Sequence, residues 1–307
     1  MLDSKYDLVA IVGPTASGKT QLAAHLAARV NGEIISADSR QVYRGMTIGT
    51  GKDLDDYVVE GRLIPYHLID IVDAGYKFNV FEYQQHFIDA YNDIKKRNRL
   101  PILCGGSGLY IDAVLRGYKL LPVPENPELR RELEAKTDEE LATILASYKK
   151  LHNTTDLDTR KRTIRAIEIE EYYQRQPVDP KPFPQIRSII FGVKHQRAAE
   201  MKRIRERLAQ RLNAGMIDEV KALLNAGLTP DDLIYYGLEY KYITEYLIGK
   251  HSYDEMFEKL YIAIRQFAKR QMTWFRGMER KGFTINWIAG ELTLEEKISL
   301  VLNKIKE

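Results

Sequence analysis

The stretch "GPTASGKT", from Gly13 to Thr20, joins the apolar run "DLVAIV" to "KTQLAAHLAARV", whose apolar residues have helical spacing. A glycine-rich turn between a buried strand and an amphipathic helix fits the pattern G-x-x-x-x-G-K-[ST], which binds phosphate through backbone N–H groups and the helix N-terminus. Lys19 adds a full positive charge to such a site, and the Thr20 hydroxyl can bind Mg²⁺. The sequence therefore predicts a phosphate-binding loop at this position.

Strand-like runs and helical patterns alternate along the N-terminal third of the chain. Strands are predicted at residues 7–13, 32–39 and 100–106, further strand material at 62–72, and helices at 19–30 and 79–98. Strand–helix–strand order requires parallel pairing with right-handed crossovers. We therefore expect an α/β fold with a doubly wound parallel sheet.

Two proline-marked connectors divide the chain. The first follows Gly117, and the second, at 175–187, contains four prolines. No strand pattern survives between them, whereas 187–194 is strand-like again and 197–281 is mostly helical. This pattern predicts a helical insertion domain at 118–186 within a core formed by 1–117 and 187–307.

Composition narrows the class of protein. With 307 residues, 44% of them hydrophobic, the chain can form one large domain, or one domain plus a smaller one. A net charge of +3 does not by itself indicate nucleic-acid binding, and the single Cys104 excludes an internal disulfide and a Cys-based zinc site. Since no leader pattern or bilayer-length apolar run is seen, we expect a cytoplasmic protein without a membrane segment.

Two polar residues follow strands whose carboxyl ends should meet at one edge of the sheet. Asp38 follows the second strand, where it could bind Mg²⁺, cap a helix or act as a general base. Ser107, in "GGSGLY", could reach a phosphate or substrate, or cap a helix. Nucleotide hydrolysis also needs an acid for the metal, which the strand "LPILC" lacks, although Asp70 and Asp73 remain candidates.

Three basic stretches favour an RNA partner. In "TRKRTIRAIEIEEYY" (159–173) basic residues crowd a helix start, against the helix dipole, so we expect a polyanion rather than local stability to explain them. In "MKRIRERLAQRLNAG" (201–215) arginines recur at i, i+4 and i+8, where they could clamp phosphate. "RQFAKRQMTWFRGMERK" (265–281) mixes six basic residues with aromatic rings, which suits phosphates and unpaired bases. Each stretch alone fits a solvated helix face, but three in a near-neutral chain favour RNA.

Taken together, these motifs resemble the tRNA dimethylallyltransferase family, also called tRNA isopentenyltransferases. The matching pieces cover nearly the whole chain and are "GPTASGKT", "ISADSRQVYRGMTIGT", "PYHLIDIV", "GGSGLY", "KRTIRAIEI", "RIRERL...AG...EV" and "RQFAKRQMTWFR".

The resemblance implies a fold like that of P-loop NTPases, without ATP hydrolysis. The implied activity transfers a dimethylallyl group from dimethylallyl diphosphate to the exocyclic amine of adenosine 37 in tRNA, with Mg²⁺ as cofactor. The insertion would grip the anticodon stem-loop, and we expect a monomer. Two alternatives are transfer of the same group to free AMP, ADP or ATP, which needs no RNA-gripping insertion, and a P-loop small-molecule kinase.

The resemblance also implies roles for individual residues. It implies three catalytic residues: Asp38 as general base, Ser107 at a position usually occupied by threonine, and Arg207 on the diphosphate. The implied diphosphate site comprises Gly13, Thr15, Ala16, Ser17, Gly18, Lys19, Thr20 and Arg207, with Thr20 also on the metal. The implied tRNA contacts are Asp38, Ser39, Arg40, Gln41, Lys161, Arg162, Thr163, Ile164, Arg165, Lys269, Arg270, Gln271, Thr273, Trp274 and Arg276.

The sequence departs from the family pattern in two further places. "GTGKD", which ends at Asp53, stands where "GTAKP" is common. "GLEY", from Gly237 to Tyr240, stands where "GYKE" or "GYRQ" is usual.

Overall fold

The computed structural model describes residues 5–148, 155–175 and 183–307, and these form two compact units. One unit is Met1–Tyr118 with Pro184–Glu307, and the other is Lys119–Phe183. The second unit falls inside the insertion predicted at 118–186. Most of the second proline-rich connector, 176–182, lies outside the described residues.

The elements follow in chain order. Before the insertion lie β1 (Leu8–Val12), α1 (Lys19–Val30), β2 (Gly32–Ala37), β3 (Tyr43–Arg44), β4 (Val58–Val59), β5 (Arg62–Leu63), β6 (Tyr66–His67), β7 (Val72–Asp73), α2 (Val80–Lys96), β8 (Leu100–Gly105) and α3 (Gly108–Leu115). The insertion contains α4 (Pro127–Glu134), α5 (Asp138–Tyr148) and α6 (Arg160–Arg175). After it come β9 (Ser188–Lys194), α7 (Arg197–Asn213), α8 (Met216–Asn225), α9 (Pro230–Tyr236), α10 (Leu238–Leu247), α11 (Tyr253–Arg280), β10 (Ile285–Ala289) and α12 (Leu294–Lys306). Single 3₁₀ turns lie at Leu54–Tyr57 and Thr155–Leu157.

A six-stranded parallel sheet organises the larger unit, with strand order β10-β9-β1-β8-β2-β6. Every residue of β1 and β2 is buried, as expected for strands covered on both faces. The predicted α/β class with a parallel sheet is therefore confirmed. The register pairs Gly105 with both Val12 and Ala37, so β1, β8 and β2 end side by side.

Two parts of the sheet differ from expectation. The segment 62–72 contributes only two-residue strands, because Leu68 and Asp70 have φ values of 62° and 56°, outside the extended region. The edge strand β10 was not predicted, and it pairs in parallel with β9.

Each unit has its own hydrophobic core. In the larger unit, aliphatic side chains of β1, α1, β2, β8 and β9 form one buried cluster. In the insertion, the buried cluster is Leu133, Leu141, Leu145, Ile164, Ala166 and Ile167. Among the described residues, no helix combines the length and apolar character needed to cross a bilayer.

Glu33, in β2, is a buried carboxylate held by several donors. Arg97 donates to both of its oxygens, at 2.9 and 2.7 Å, while Arg99 lies 3.1 Å from Oε1 and His67 Nε2 lies 2.7 Å from Oε2. Burial opposes ionisation of this carboxyl, but the hydrogen bonds from Arg97 and His67 outweigh it and lower the pKa of Glu33 to about 2.

A pH-dependent loss of stability follows for Glu33→Gln. Because the pKa falls from 4.5 in a free glutamate to about 2 on folding, the stabilisation is present above pH 4.5 and is lost as the pH falls towards 2. We expect the variant to lose about 3 kcal/mol of unfolding free energy at pH 7 and much less at pH 3, measured by urea denaturation. Glu295→Gln, which removes an exposed pair with Arg29, is the control. A deficit that stays constant with pH would contradict this assignment.

Candidate active site

The backbone of the loop between β1 and α1 has the conformation of an anion-binding site. Ala16 and Gly18 have φ values of 60° and 83°, which turn successive N–H groups towards one side. The N–H groups of Ala16, Ser17 and Gly18 have no acceptor among the described residues, and no side chain caps α1. Free N–H groups at a helix N-terminus are suited to bind phosphate oxygens.

The side chains of the loop add charge and hydroxyl groups. Lys19 is half-buried and its Nζ lies 3.3 Å from the carbonyl oxygen of Pro14. Burial lowers the pKa of Lys19, while Cys104 and Asp38 act in the opposite direction. The buried Ser17 Oγ has no hydrogen-bond partner among the residues described. An anion in the loop would pair with both groups.

The loop is held mainly through its carbonyl oxygens and by close packing. Arg203, on α7, donates to the Ala16 carbonyl at 3.0 Å, and His195 Nε2 lies 3.3 Å from the Ser17 carbonyl. A Cβ atom at Gly13 would lie 2.6 Å from the Val193 carbonyl, so only glycine fits there. The loop is therefore fixed without using most of its N–H groups.

Gln271, on α11, joins two glycine-rich loops. Its Oε1 accepts from the Thr15 N–H at 2.8 Å, and its Nε2 donates to the Gly106 carbonyl at 3.0 Å. The side chain is buried, and a Cβ at Gly106 would collide with it. The resemblance implied that Gln271 contacts tRNA. In the structure, both ends of its amide are instead hydrogen-bonded to the backbone of the two loops. Thr15 accordingly has only its hydroxyl left for a ligand.

Ser107 links the ends of β8 and β2. Its N–H donates to the Ala37 carbonyl at 3.1 Å, and its Oγ accepts from the Ser39 N–H at 2.9 Å. The hydroxyl also lies 3.3 Å from Ser39 Oγ. Ser107 occupies the N-cap position of α3, yet its side chain makes no capping bond. The side chain therefore does not cap the helix but joins the two loops, and a role of its hydroxyl towards a phosphate or substrate stays a prediction.

Asp38 lies in the turn that Ser107 anchors. Its Oδ1 accepts from the Arg40 N–H at 2.9 Å, and its Oδ2 has no partner among the described residues. The side chain is half-buried. The Arg40 guanidinium lies 5.7 and 5.5 Å from the ring centres of Tyr235 and Tyr236. A carboxylate oxygen at this position is open to accept a proton from a bound group.

Gln41 fixes the same turn from its other end. Its Oε1 accepts from Ser36 Oγ at 3.0 Å, and its Nε2 donates to the Gly51 carbonyl at 3.0 Å. Asp70, a candidate metal ligand, forms a 2.5 Å ion pair with the buried Lys52. The side chains of Gln41 and Asp70 therefore hold the loops around Asp38 in place.

A shallow pocket opens beside the phosphate loop. Its lining combines loop atoms with basic, acidic and aliphatic side chains: Thr15, Ala16, Ile204, Arg207, Leu208, Arg211, Met216, Glu239 and Ile264. Arg207 and Arg211 lie next to each other on α7, as the sequence spacing predicted. Burial raises the pKa of Glu239, although the positive charges of Arg211 and Arg207 act in the opposite direction. The lining places basic groups beside aliphatic side chains, the combination that suits an anion with an apolar tail.

Glu219 organises a third loop at the site. Its carboxylate accepts the N–H groups of Thr47, Ile48 and Gly49 at 2.8, 2.6 and 3.0 Å. It also accepts the Tyr240 hydroxyl at 2.7 Å. Sequence analysis gave Glu219 no role beyond its place in a motif, because only the fold brings α8 to this loop.

The basic residues of α6 have structural partners within the insertion. Arg160 pairs with Asp138 at 2.7 Å and Arg162 with Asp158 at 3.1 Å, while Arg165 pairs with the buried Glu168. Arg160 also donates to carbonyl oxygens at the end of α4, including that of Glu134 at 2.8 Å. Local ion pairs therefore account for Arg160, Arg162 and Arg165 without a polyanion, while contact of this helix with tRNA stays a prediction.

The other residues predicted to contact tRNA differ in how exposed their side chains are. Thr163 and Ile164 are buried, with 4% and 6% of their surface exposed, whereas Lys161 is exposed. On α11 the exposed residues are Lys269, Arg270, Thr273 and Arg276. The three basic ones form no ion pair within the described part of the chain. Trp274 is half-buried and packs on Gly108.

Sequence comparisons with known proteins all indicate the same family. The sequence model of a family described as IPP transferase matches residues 41–278. A protein of Bacteroides fragilis named tRNA dimethylallyltransferase 2 is 64% identical over 98% of this chain and 99% of its own length. A protein of the same name from Phocaeicola vulgatus is 61% identical over 97% of both chains.

A solved structure supports the same relationship. The full-length tRNA isopentenylpyrophosphate transferase of Bacillus halodurans is similar with a TM-score of 0.70 and 34% sequence identity. The match covers 98% of this chain and 96% of that chain. The similarity therefore extends over both compact units.

Removing the Gln271 amide should loosen the phosphate loop. Gln271→Leu leaves the Thr15 N–H and the Gly106 carbonyl without their partner, so we expect a loss of about 2 kcal/mol in unfolding free energy. Hydrogen exchange at the Thr15 amide should become faster. Gln266→Leu, on the exposed face of the same helix, is the control. Equal exchange at Thr15 in both variants would contradict the bridging role.

Proposed function

The chain belongs to the IPP transferase family, and from this we propose that it transfers a dimethylallyl group from dimethylallyl diphosphate to the exocyclic amine of adenosine 37 in tRNA. It is a prenyl transferase that modifies tRNA. The donor, the acceptor atom and the residue roles below are proposals about this chain's own site.

One observation carries the proposal: the ends of β1, β2 and β8 bring an anion loop and a carboxylate together. Gly105 pairs with Val12 and Ala37, and the Ser107–Ser39 bond ties the Asp38 turn to the same edge. Burial lowers the pKa of Lys19, and the charge of Asp38 is among the effects that oppose this. An enzyme that holds a departing anion and deprotonates an acceptor needs such a pair.

The phosphate loop stabilises the leaving group. As the bond between the allylic carbon and oxygen breaks, negative charge grows on the diphosphate. The free N–H groups of Ala16, Ser17 and Gly18, together with Lys19 and Arg207, are placed to stabilise this charge. Fixed donors of this kind contribute several kcal/mol because they need no reorganisation during the reaction. The apolar cavity wall suits the five-carbon tail.

Asp38 acts as the general base. The lone pair of the adenine amine is delocalised into the ring, so the amine is a weak nucleophile until its proton is removed. The carbon–nitrogen bond forms as the proton moves to Asp38 Oδ2, which has no other partner among the described residues. Arg40 and Ser107 keep the turn in place through the bonds described above.

Mg²⁺ fits this site as an ion bound together with the diphosphate. Thr20, in the first turn of α1, is the residue that would hold it through its hydroxyl oxygen. Among residues 5–148, 155–175 and 183–307, no group of three or more His, Cys, Asp or Glu side chains is arranged for a metal. Mg²⁺ commonly uses few protein ligands plus phosphate oxygens, whose charge it neutralises.

The exposed face of α11 is the best-supported tRNA contact. Lys269, Arg270 and Arg276 are exposed without ion pairs in the described structure, and the half-buried Trp274 on the same helix packs on Gly108. Basic groups with an aromatic ring suit phosphates and an unpaired base. In the insertion, Lys161 offers a further exposed charge.

A transfer assay tests the function directly. The purified protein is incubated with dimethylallyl diphosphate and either unmodified tRNA or AMP, and nucleosides are analysed by mass spectrometry. We expect one added five-carbon unit on a single adenosine of tRNA and none on AMP. Prenylation of AMP alone would instead establish the free-nucleotide activity, and labelled phosphate passing from ATP to a product would establish a kinase.

Asp38→Asn should reduce turnover without releasing tRNA. Loss of the base should lower kcat by about 10²- to 10⁴-fold, whereas the α11 charges that hold tRNA remain. The variant's kcat is measured by single-turnover transfer, and its tRNA affinity by filter binding. Asp73→Asn, which removes an exposed partner of Arg44, is the control. Equal turnover in the Asp38 variant and the wild type would remove Asp38 from the mechanism.

A further inference from the structure

Asp53 bridges the two arginines of the cavity wall. Its Oδ2 lies 2.6 Å from Arg207 Nη2, and its Oδ1 and Oδ2 lie 3.1 and 3.2 Å from Arg211 Nη2. The Arg211 side chain is only 14% exposed, so its charge sits largely out of water beside that of Arg207. Two neighbouring guanidinium groups repel each other, and the shared carboxylate offsets that repulsion.

The carboxylate of Asp53 leaves the other N–H groups of both guanidinium groups free of acceptors among the described residues. Arg207 and Arg211 both line the cavity, whereas Asp53 does not. Asp53 uses only Nη2 of each arginine. A guanidinium group has five N–H donors, so both arginines can bind an anion while still bound to Asp53.

Gly51 makes room for this arrangement. Gly51 has a φ of 70°, and a Cβ atom there would collide with the Arg211 guanidinium. In the family pattern quoted above, alanine and proline are common where this chain has Gly51 and Asp53. Alanine would displace Arg211, and proline offers no carboxylate. Gly51 and Asp53, the two departures in "GTGKD", therefore both adjoin the Arg211 guanidinium in this chain.

We propose that Asp53 is a positioning residue that holds Arg207 and Arg211 together, so that both guanidinium groups bind the diphosphate of the substrate. This inference rests on the proposed function, since it assigns the cavity to the diphosphate. Arg211 thereby becomes a second diphosphate-binding arginine beside Arg207. Asp53 itself does not touch the substrate.

The test compares Asp53→Asn with Asp55→Asn. Asp55 is exposed, lies two residues away and forms no ion pair with the arginines, so its variant makes the same charge change without the bridge. We expect Asp53→Asn to raise KM for dimethylallyl diphosphate about fivefold, the range for a partly exposed ion pair. The inhibition constant of inorganic diphosphate should rise to a similar extent. KM for tRNA and kcat should stay at the Asp55→Asn values, and the two Tm values should agree.

A purely structural role would change KM for tRNA or kcat together with Tm, and that result would overturn the inference. A lower KM for the diphosphate substrate would also overturn it, because Asp53 would then compete with the substrate. Arg207→Ala and Arg211→Ala separate this inference from the proposed function. If both raise KM for the diphosphate substrate while Asp53→Asn leaves it unchanged, only the positioning role fails. If neither changes it, the diphosphate lies elsewhere, and the assignment of the cavity fails with it.

Discussion

A loop that offers its N–H groups to an anion must be held by something other than those N–H groups. In this protein the support comes mainly through carbonyl oxygens: Arg203 bonds the Ala16 carbonyl, and His195 lies against that of Ser17. The one N–H that is used, that of Thr15, goes to Gln271. Because this support comes from elements far away in the chain, the three N–H groups from Ala16 to Gly18 stay available to a ligand. Arg203 of α7 and Gln271 of α11 provide this support.

Charge is distributed around the site in two groups. On the anion side, Lys19, Arg207 and Arg211 are partly withdrawn from water, which strengthens their interaction with a bound diphosphate. On the acceptor side, Asp38 keeps one carboxylate oxygen free. Burial lowers the pKa of Arg211 and raises that of Glu239, so the surroundings of both groups disfavour charge of either sign. A bound diphosphate would offset the unfavourable free energy of the buried arginine charges. This fits a site that stabilises negative charge as it develops on the leaving group.

The sequence predicted the parts that depend on local pattern. The strand–loop–helix unit and the position of Asp38 after β2 follow from periodicity and glycine placement, and the structure has both. What it could not predict are contacts between distant segments. Gln271 looks like one more polar residue of a basic helix until α11 is packed against the phosphate loop. Arg160 and Arg165 look like RNA ligands until Asp138 and Glu168 are seen beside them. Asp53 had a visible signal, the departure in "GTGKD", but its meaning required the position of Arg211.

The most direct measurement is a crystal structure of the protein with an anticodon stem-loop and an unreactive thio analogue of dimethylallyl diphosphate. The account predicts diphosphate oxygens about 3 Å from the loop N–H groups, and a carboxylate oxygen of Asp38 about 3 Å from the amine of adenosine 37. A diphosphate bound away from the loop, or an Asp38 carboxylate turned away from the adenine, would contradict it.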